Sequence, residues 1–338
     1  MVLRMDHSGR RACRWTFAAL AALCLALVAP ACGGDDDGGG GGGASNEPVT
    51  LQVGVIPIAD VAPLYVGIQQ GFFKQENLTI KPKLAEGGAA IVPAVIAGED
   101  QIGFSNATSL VIAASKKLPV QIISQGVEAG KGERDAYDGM FVKKGGPIRS
   151  VKDLAGKTIS VNNLNNVGPL TINNALEKRG VDPKSVKYLE VPFPDAVAAL
   201  KAGRVDAIWV VEPFASQARA AGYRTLMHPF EEAAPNYTVA TYFASKEYIA
   251  KSSGVVDRFV RAMNKALDYS QQHPDAVRKV VPTYTQIPAK ASEGMVLPTW
   301  DADLNEDTIQ LTIDLAAKYG FVEQKPSLDD LIHRGGSG

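Results

Sequence analysis

Two polar clusters hold most of the chemistry this sequence could perform. Ser105, Asn106 and Thr108 follow an apolar run and open a helix-forming one. Asn162, Asn163, Asn165, Asn166 and Gly168 hold the same place further on, with Pro169 suited to a first helical turn. A helix start leaves backbone N–H groups unpaired and carries partial positive charge. Hydroxyls and amides placed there donate to an anion or a polar head. Neither cluster contains Arg or Lys. Neutral donors would therefore carry the binding, which disfavours multiply charged ligands such as phosphate esters. The same side chains have a plainer use. Ser105 or Asn106 as an N-cap stabilises a helix by about 1 kcal/mol, and a cap can also touch ligand.

Other residues add to this set. Glu212 follows an apolar run and precedes Pro213. Its carboxylate could hold an amine or amidine, cap a helix, or pair across the molecule. Phe193 and Asp195 stand at another strand end. Gly88, with Gly87, permits close backbone approach or simply makes a turn. Tyr65, Phe104, Phe193 and Trp209 suit a ring or an aliphatic body, since pockets are mostly apolar with a few placed polar groups; Trp209 fits a core equally well. No nucleophile elbow, phosphate loop or metal-binding helix occurs. The four histidines, His7, His228, His273 and His333, lack ligand spacing. Neither a metal nor a cofactor is expected.

The elements that must position these residues read as alternating strands and helices. Val49, Leu51, Val53 and Val55 alternate as in a half-buried strand. Strands are expected over residues 79–84, 101–104, 120–124, 157–161, 186–191 and 206–211. Helices are expected over 64–70, 89–97, 108–115, 169–178 and 195–201. This alternation implies βαβ units and mainly parallel pairing. Beyond residue 255 the pattern is helical, with Val256, Phe259, Val260, Met263 and Leu267 on one face. One internal echo stands out: residues 97–104 and 202–209 both pass from a helix through glycine into a strand. Such an echo suits two similar α/β lobes facing each other across a cleft.

The N-terminus is of another kind. Arg4, Arg10, Arg11 and Arg14 precede an apolar run over residues 15–31, shorter than the roughly 20 residues of a spanning helix. This reads as a secretion signal, residues 1–31. Cys32 follows, then a Gly- and Asp-rich tether to residue 48 that cannot pack a core. Cys32 is the expected lipidation site, with signal-peptidase cleavage after Ala29-Pro30-Ala31 as the alternative. Cys13 and Cys24 lie in the signal, so the exported chain has no disulfide. The whole chain has 338 residues, 21% charged and 46% hydrophobic, with a net charge of −1. That balance offers no electrostatic case for nucleic acid as a partner.

Several runs in this order are similar to the sulfonate, taurine and thiamine-pyrimidine solute-binding proteins of ABC importers. They are GFFKQENLTIKP, AEGGAAIVPAVIAGEDQIGFSNATSLVIA, IRSVKDLAGKTISV and AVAALKAGRVDAIWVVEPFASQA. The resemblance spans about residues 49 to 322. It implies a type II periplasmic-binding-protein fold, α/β, with two lobes joined by a two-crossing hinge. Lobe 1 would comprise residues 49–142 and 239–338, and lobe 2 residues 143–238. The crossings would be residues 139–144 and 239–244. It also implies Asp60 and Tyr65 at the mouth of the cleft. The family often has a Gly/Ser-rich loop where this chain has Asn162 to Gly168, and that departure bears on the ligand's head.

The resemblance implies a binding protein, not an enzyme, with a small organic solute and a membrane permease as partners. The protein would be a monomer and extracytoplasmic, either periplasmic or held to the outer membrane face only by its lipid. Sulfonates or related acids come first among candidate ligands and thiamine-type aminopyrimidines second. A branch of the superfamily makes the thiamine pyrimidine from its own histidine and a pyridoxal cofactor. That chemistry needs a Cys-rich iron motif, which this chain lacks. A receptor ectodomain would carry a membrane span after the domain; a tethered, free-standing binder is expected instead.

Overall fold

The computed structural model describes residues 47–335. The secretion signal, Cys32 and the tether lie outside the described residues. Ten strands build two five-stranded sheets. They are β1 (Val49–Val55), β2 (Leu78–Leu84), β3 (Ile102–Asn106), β4 (Val120–Glu128), β5 (Asp138–Val142), β6 (Thr158–Val161), β7 (Lys187–Glu190), β8 (Ala207–Val211), β9 (Arg224–Met227) and β10 (Thr238–Ser245). The first sheet has the order β2-β1-β3-β10-β4 and the second β7-β6-β8-β5-β9. In each, three strands run parallel and the fourth is antiparallel to both neighbours.

The two halves of the echo occupy equivalent places. Gly98 and Gly203 both take left-handed backbone angles, φ 76° and 71°, which a side chain resists. Each ends a helix and sends the chain into the third strand of its sheet. The central strands β5, β8 and β10 are buried along their whole lengths, and their sequences are correspondingly apolar runs.

The crossings differ from expectation. The resemblance implies a hinge at residues 139–144, yet β5 pairs with β8 and β9 inside the second sheet. It implies the same of residues 239–244, yet they lie within β10, bonded on both sides in the first sheet. Strand β5 therefore belongs with the residues assigned to lobe 2. A strand buried on both faces and an apolar hinge segment have the same composition, so pattern alone did not separate them. The chain passes between the sheets over residues 129–137 and returns over residues 228–237.

Long helices close the first sheet. The helix Ser253–Gln272 buries the expected face of Val256, Phe259, Met263 and Leu267. Arg258 on it donates to the carbonyls of Glu47 and Glu76, at 3.0 and 3.1 Å, tying it to the starts of β1 and β2. No helix of the described residues is long and apolar enough to cross a membrane.

Candidate ligand-binding site

The carboxyl ends of β1, β3, β6 and β8 meet at one cavity, the place where open α/β sheets bind ligands. Asp60, Asn106, Asn162 and Asn166 supply its polar wall. Ile56, Ile58, Phe104, Val167, Phe193, Trp209, Val211, Phe230, Val239 and Ala240 supply the rest. The space is compact, with a volume of about 30 Å³.

The two polar clusters do converge. Asn106 caps the helix Ala107–Ser115: its Oδ1 accepts from the Ser109 N–H at 2.9 Å and its Nδ2 donates to Ser109 Oγ at 3.0 Å. Ser109 Oγ then donates to the Asn165 carbonyl at 3.1 Å, joining the two sides of the cleft. Asn166 caps the helix Val167–Lys178, accepting from the Gly168 N–H at 3.2 Å. Its Nδ2 donates to Asn162 Oδ1 at 2.8 Å. Capping thus occupies Asn106 and Asn166, while Asn162 lines the cavity with only its Oδ1 engaged.

Other expected residues stand behind the wall. A Cβ on Gly88 would lie 2.1 Å from Ser105 Oγ, and one on Gly87 would lie 1.9 Å from Asn163 Oδ1. Both glycines are there for close approach. Ser105 is buried at the end of β3, Asn163 abuts Gly87, and Thr108 is buried beside Tyr237. Gly168 lets the Trp209 ring approach; its Cβ would lie 2.6 Å from that ring. Tyr65 stacks on Tyr284 at 3.9 Å, and the Tyr284 hydroxyl donates to the Ile58 carbonyl at 3.0 Å. Tyr65 therefore buttresses the wall without lining it.

Glu212 is a correction. Its carboxylate accepts from the Ser216 N–H at 3.0 Å, from Ser216 Oγ at 2.9 Å, and from Arg219. It is fully buried and does not line the cavity. A charge taken out of water needs such partners, and here the helix Phe214–Ala220 that follows Pro213 provides them.

The acid that does face the cavity is Asp60. Its Oδ2 accepts from the Tyr137 hydroxyl at 3.2 Å, and its carbonyl accepts from Trp300 Nε1 at 3.2 Å. Oδ1 has no partner among the described residues. Burial pushes its carboxyl up to about 7, against lowering by its hydrogen bonds. No Arg or Lys of the described residues lines the cavity.

Beneath this wall lies a set that sequence reasoning missed. Trp209 lines the cavity, and its Nε1 donates to Asp138 Oδ2 at 2.8 Å. His228 Nδ1 donates to the Asp138 carbonyl at 2.7 Å, and Glu231 accepts from the Gly130 N–H at 3.2 Å. Asp138, His228 and Glu231 each bring a ligand-type atom within 4.8 Å of the others. His228 spends its near nitrogen on the carbonyl. Burial, then the charge of Glu231, raises the proton affinity of Asp138, and burial lifts Glu231 to about 7 against lowering by its hydrogen bonds. Each keeps one carboxyl oxygen without a partner among the described residues. A lone Asp before the apolar run of β5 was the one signal of it.

The geometry agrees with the comparisons to known proteins. The sequence profile described as NMT1/THI5 like matches residues 58–277. The chain belongs to the NMT1/THI5-like family. Among curated relatives, the taurine-binding periplasmic protein of Escherichia coli is 29% identical over 142 residues, 42% of either chain. The formylaminopyrimidine-binding protein of Halalkalibacterium halodurans is 22% identical over 240 residues, 70% of either chain. The match covers 42%, 63% and 28% of the first three curated relatives, so less than two thirds of each. The alkanesulfonate-binding protein SsuA of Xanthomonas axonopodis pv. citri, bound to MOPS, superposes with a TM-score of 0.73 at 19% identity, over 84% of this chain and 98% of that one. The family member described here thus has the type II periplasmic-binding-protein fold expected from its sequence.

Proposed function

We propose that the protein is the extracytoplasmic solute-binding component of an ABC-type importer. Its solute is a small, flat, nitrogenous molecule, neutral or cationic, of the aminopyrimidine kind. One observation carries the choice of solute: a buried acid, Asp60, lines a cavity without a cation and has one carboxyl oxygen without a partner among the described residues. A buried acceptor left unmatched is costly, and an N–H of the ligand would satisfy it. Asn162 Nδ2 would donate to a ring nitrogen, and Trp209, Phe104 and Phe193 would cover the ring faces. This reverses the order drawn from sequence, where acids came first. The relative named for formylaminopyrimidine supports the reading.

Aminosulfonates form the second reading. Two helix starts meet at the cavity, and one relative is named for taurine; the ammonium of such a zwitterion would take Asp60. Export and lipidation at Cys32, a monomeric state, and parting of the two lobes about residues 129–137 and 228–237 belong to the same proposal.

Calorimetry with an aminopyrimidine and an alkanesulfonate tests the solute. Asp60→Asn is expected to weaken pyrimidine binding about tenfold or more, the loss of a hydrogen bond to a charged group. It should leave sulfonate binding unchanged or stronger. Tight sulfonate binding by the unaltered protein, without pyrimidine binding, would overturn the proposal.

A further inference from the structure

The inner cavity has a neighbour on the other side of Phe193. A second chamber of about 400 Å³ adjoins it, and Ile56, Ile58 and Phe193 line both. The outer chamber is built from both sides of the cleft. Leu84 comes from the end of β2, and Phe214 from the start of the helix Phe214–Ala220. Leu84 is 58% exposed, the most of any large apolar side chain among the described residues. With Ile56, Ile58, Phe193 and Phe214 it gives this chamber an apolar lining, the usual wall of a ligand pocket. The charged side chains lining this chamber are Glu86 and Asp195, so both chambers carry acids and no cation among the described residues.

The volumes decide how the two spaces divide a ligand. About 30 Å³ inside against about 400 Å³ outside gives the inner cavity room for a compact head. The outer one has room for a chain of several carbons. A substituent leaving the head past Phe193 meets Ile56 and Ile58 first, then Leu84 and Phe214. Each methylene it buries should tighten binding about three- to fourfold. Glu86 and Asp195 in the same chamber repel an anion and tolerate a neutral or cationic terminus.

We infer that the outer chamber is a second ligand subsite, which takes an apolar arm attached to the polar head and rejects an arm ending in an anion. This rests on the reading that the inner cavity holds the head.

Three aminopyrimidines test it: one unsubstituted, one with a four-carbon alkyl arm, one with the same arm ending in a carboxylate. The alkyl arm is expected to tighten binding tenfold or more over the bare ring, and the carboxylate to remove that gain. Leu84→Trp, a change at an exposed position that leaves the core intact, should abolish the gain while leaving the bare ring's affinity unchanged. Equal affinities for the bare and alkyl-bearing rings overturn the subsite and leave the head assignment standing. Should no ring bind, the head assignment is wrong, and a series of n-alkylammonium ions reads the outer chamber alone. Affinity that grows with chain length and falls in Leu84→Trp then supports the subsite; affinity independent of chain length overturns it.

Discussion

Asp60 and Glu212 are both buried carboxyls at the cleft, one following β1 and the other following β8, and their surroundings differ. Glu212 has a backbone N–H, a hydroxyl and the Arg219 guanidinium on its two oxygens. Asp60 has one hydroxyl on Oδ2 and nothing on Oδ1 among the described residues. The lesson is about partner count. A buried carboxylate with a full set of donors holds its own chain together, whereas one with an open oxygen beside a cavity is available to a ligand.

The largest effect should come from breaking the satisfied member. Arg219→Met leaves Glu212 buried without its cation, which costs about 3–5 kcal/mol. Urea unfolding would read that loss, while affinity for ligand at moderate temperature should stay within about twofold. A variant as stable as the parent would show that the ion pair matters less than its burial implies.

The next effect sharpens the other half. The folded state raises the Asp60 carboxyl from 3.8 to about 7, so between these values folded protein binds more protons than unfolded chain. Stability therefore falls as pH rises from about 4 to about 7, and is level above that. Asp60→Asn should remove part of this fall and leave the variant more stable near pH 8, by on the order of 2 kcal/mol. Some slope should remain, because Glu231 and Glu128 are also lifted to about 7, chiefly by burial. Denaturant midpoints measured near pH 5 and near pH 8 check this; an unaltered slope would mean Asp60 is already hydrated or paired.

The smallest effect concerns the caps. Asn106→Ala removes the bond to the Ser109 N–H and should cost about 1 kcal/mol. It also frees Ser109 Oγ to rotate away from Asn165, so ligand dissociation should quicken more than association slows. Stopped-flow fluorescence through Trp209 would separate the two rates. A loss of affinity as large as that of Asp60→Asn would instead make Asn106 a direct ligand contact.

Much of the fold was readable in advance. Alternation in β1, glycine stops at Gly98 and Gly203, and the helical face of Val256 to Leu267 are local signals, and each element formed as expected. β9 was missed: three of its four residues, Arg-Thr-Leu-Met, are only partly buried, and the run carries little pattern. In the site, Asn106, Asn162, Asn166, Phe193 and Asp60 were picked out and line the cavity. Thr108, Asn163 and Gly168 neighbour them in sequence but support the wall, because a helix start turns successive side chains in different directions.

Residue order by itself settled the class of fold, the doubled α/β plan and the strand ends where a ligand could sit. These follow from period, glycine placement and helix-start chemistry, all of which act over a few neighbours. Only the folded chain decided which acid is open. Ser216 and Arg219, which occupy Glu212, come from the helix after it, whereas the Tyr137 hydroxyl that reaches Asp60 comes from a segment distant in sequence. The proximity of Asp138 to Glu231 and the adjacency of the two chambers at Phe193 are of the same kind. Each depends on which groups tertiary packing brings within a hydrogen bond's reach, and a sequence records only which groups are neighbours along the chain.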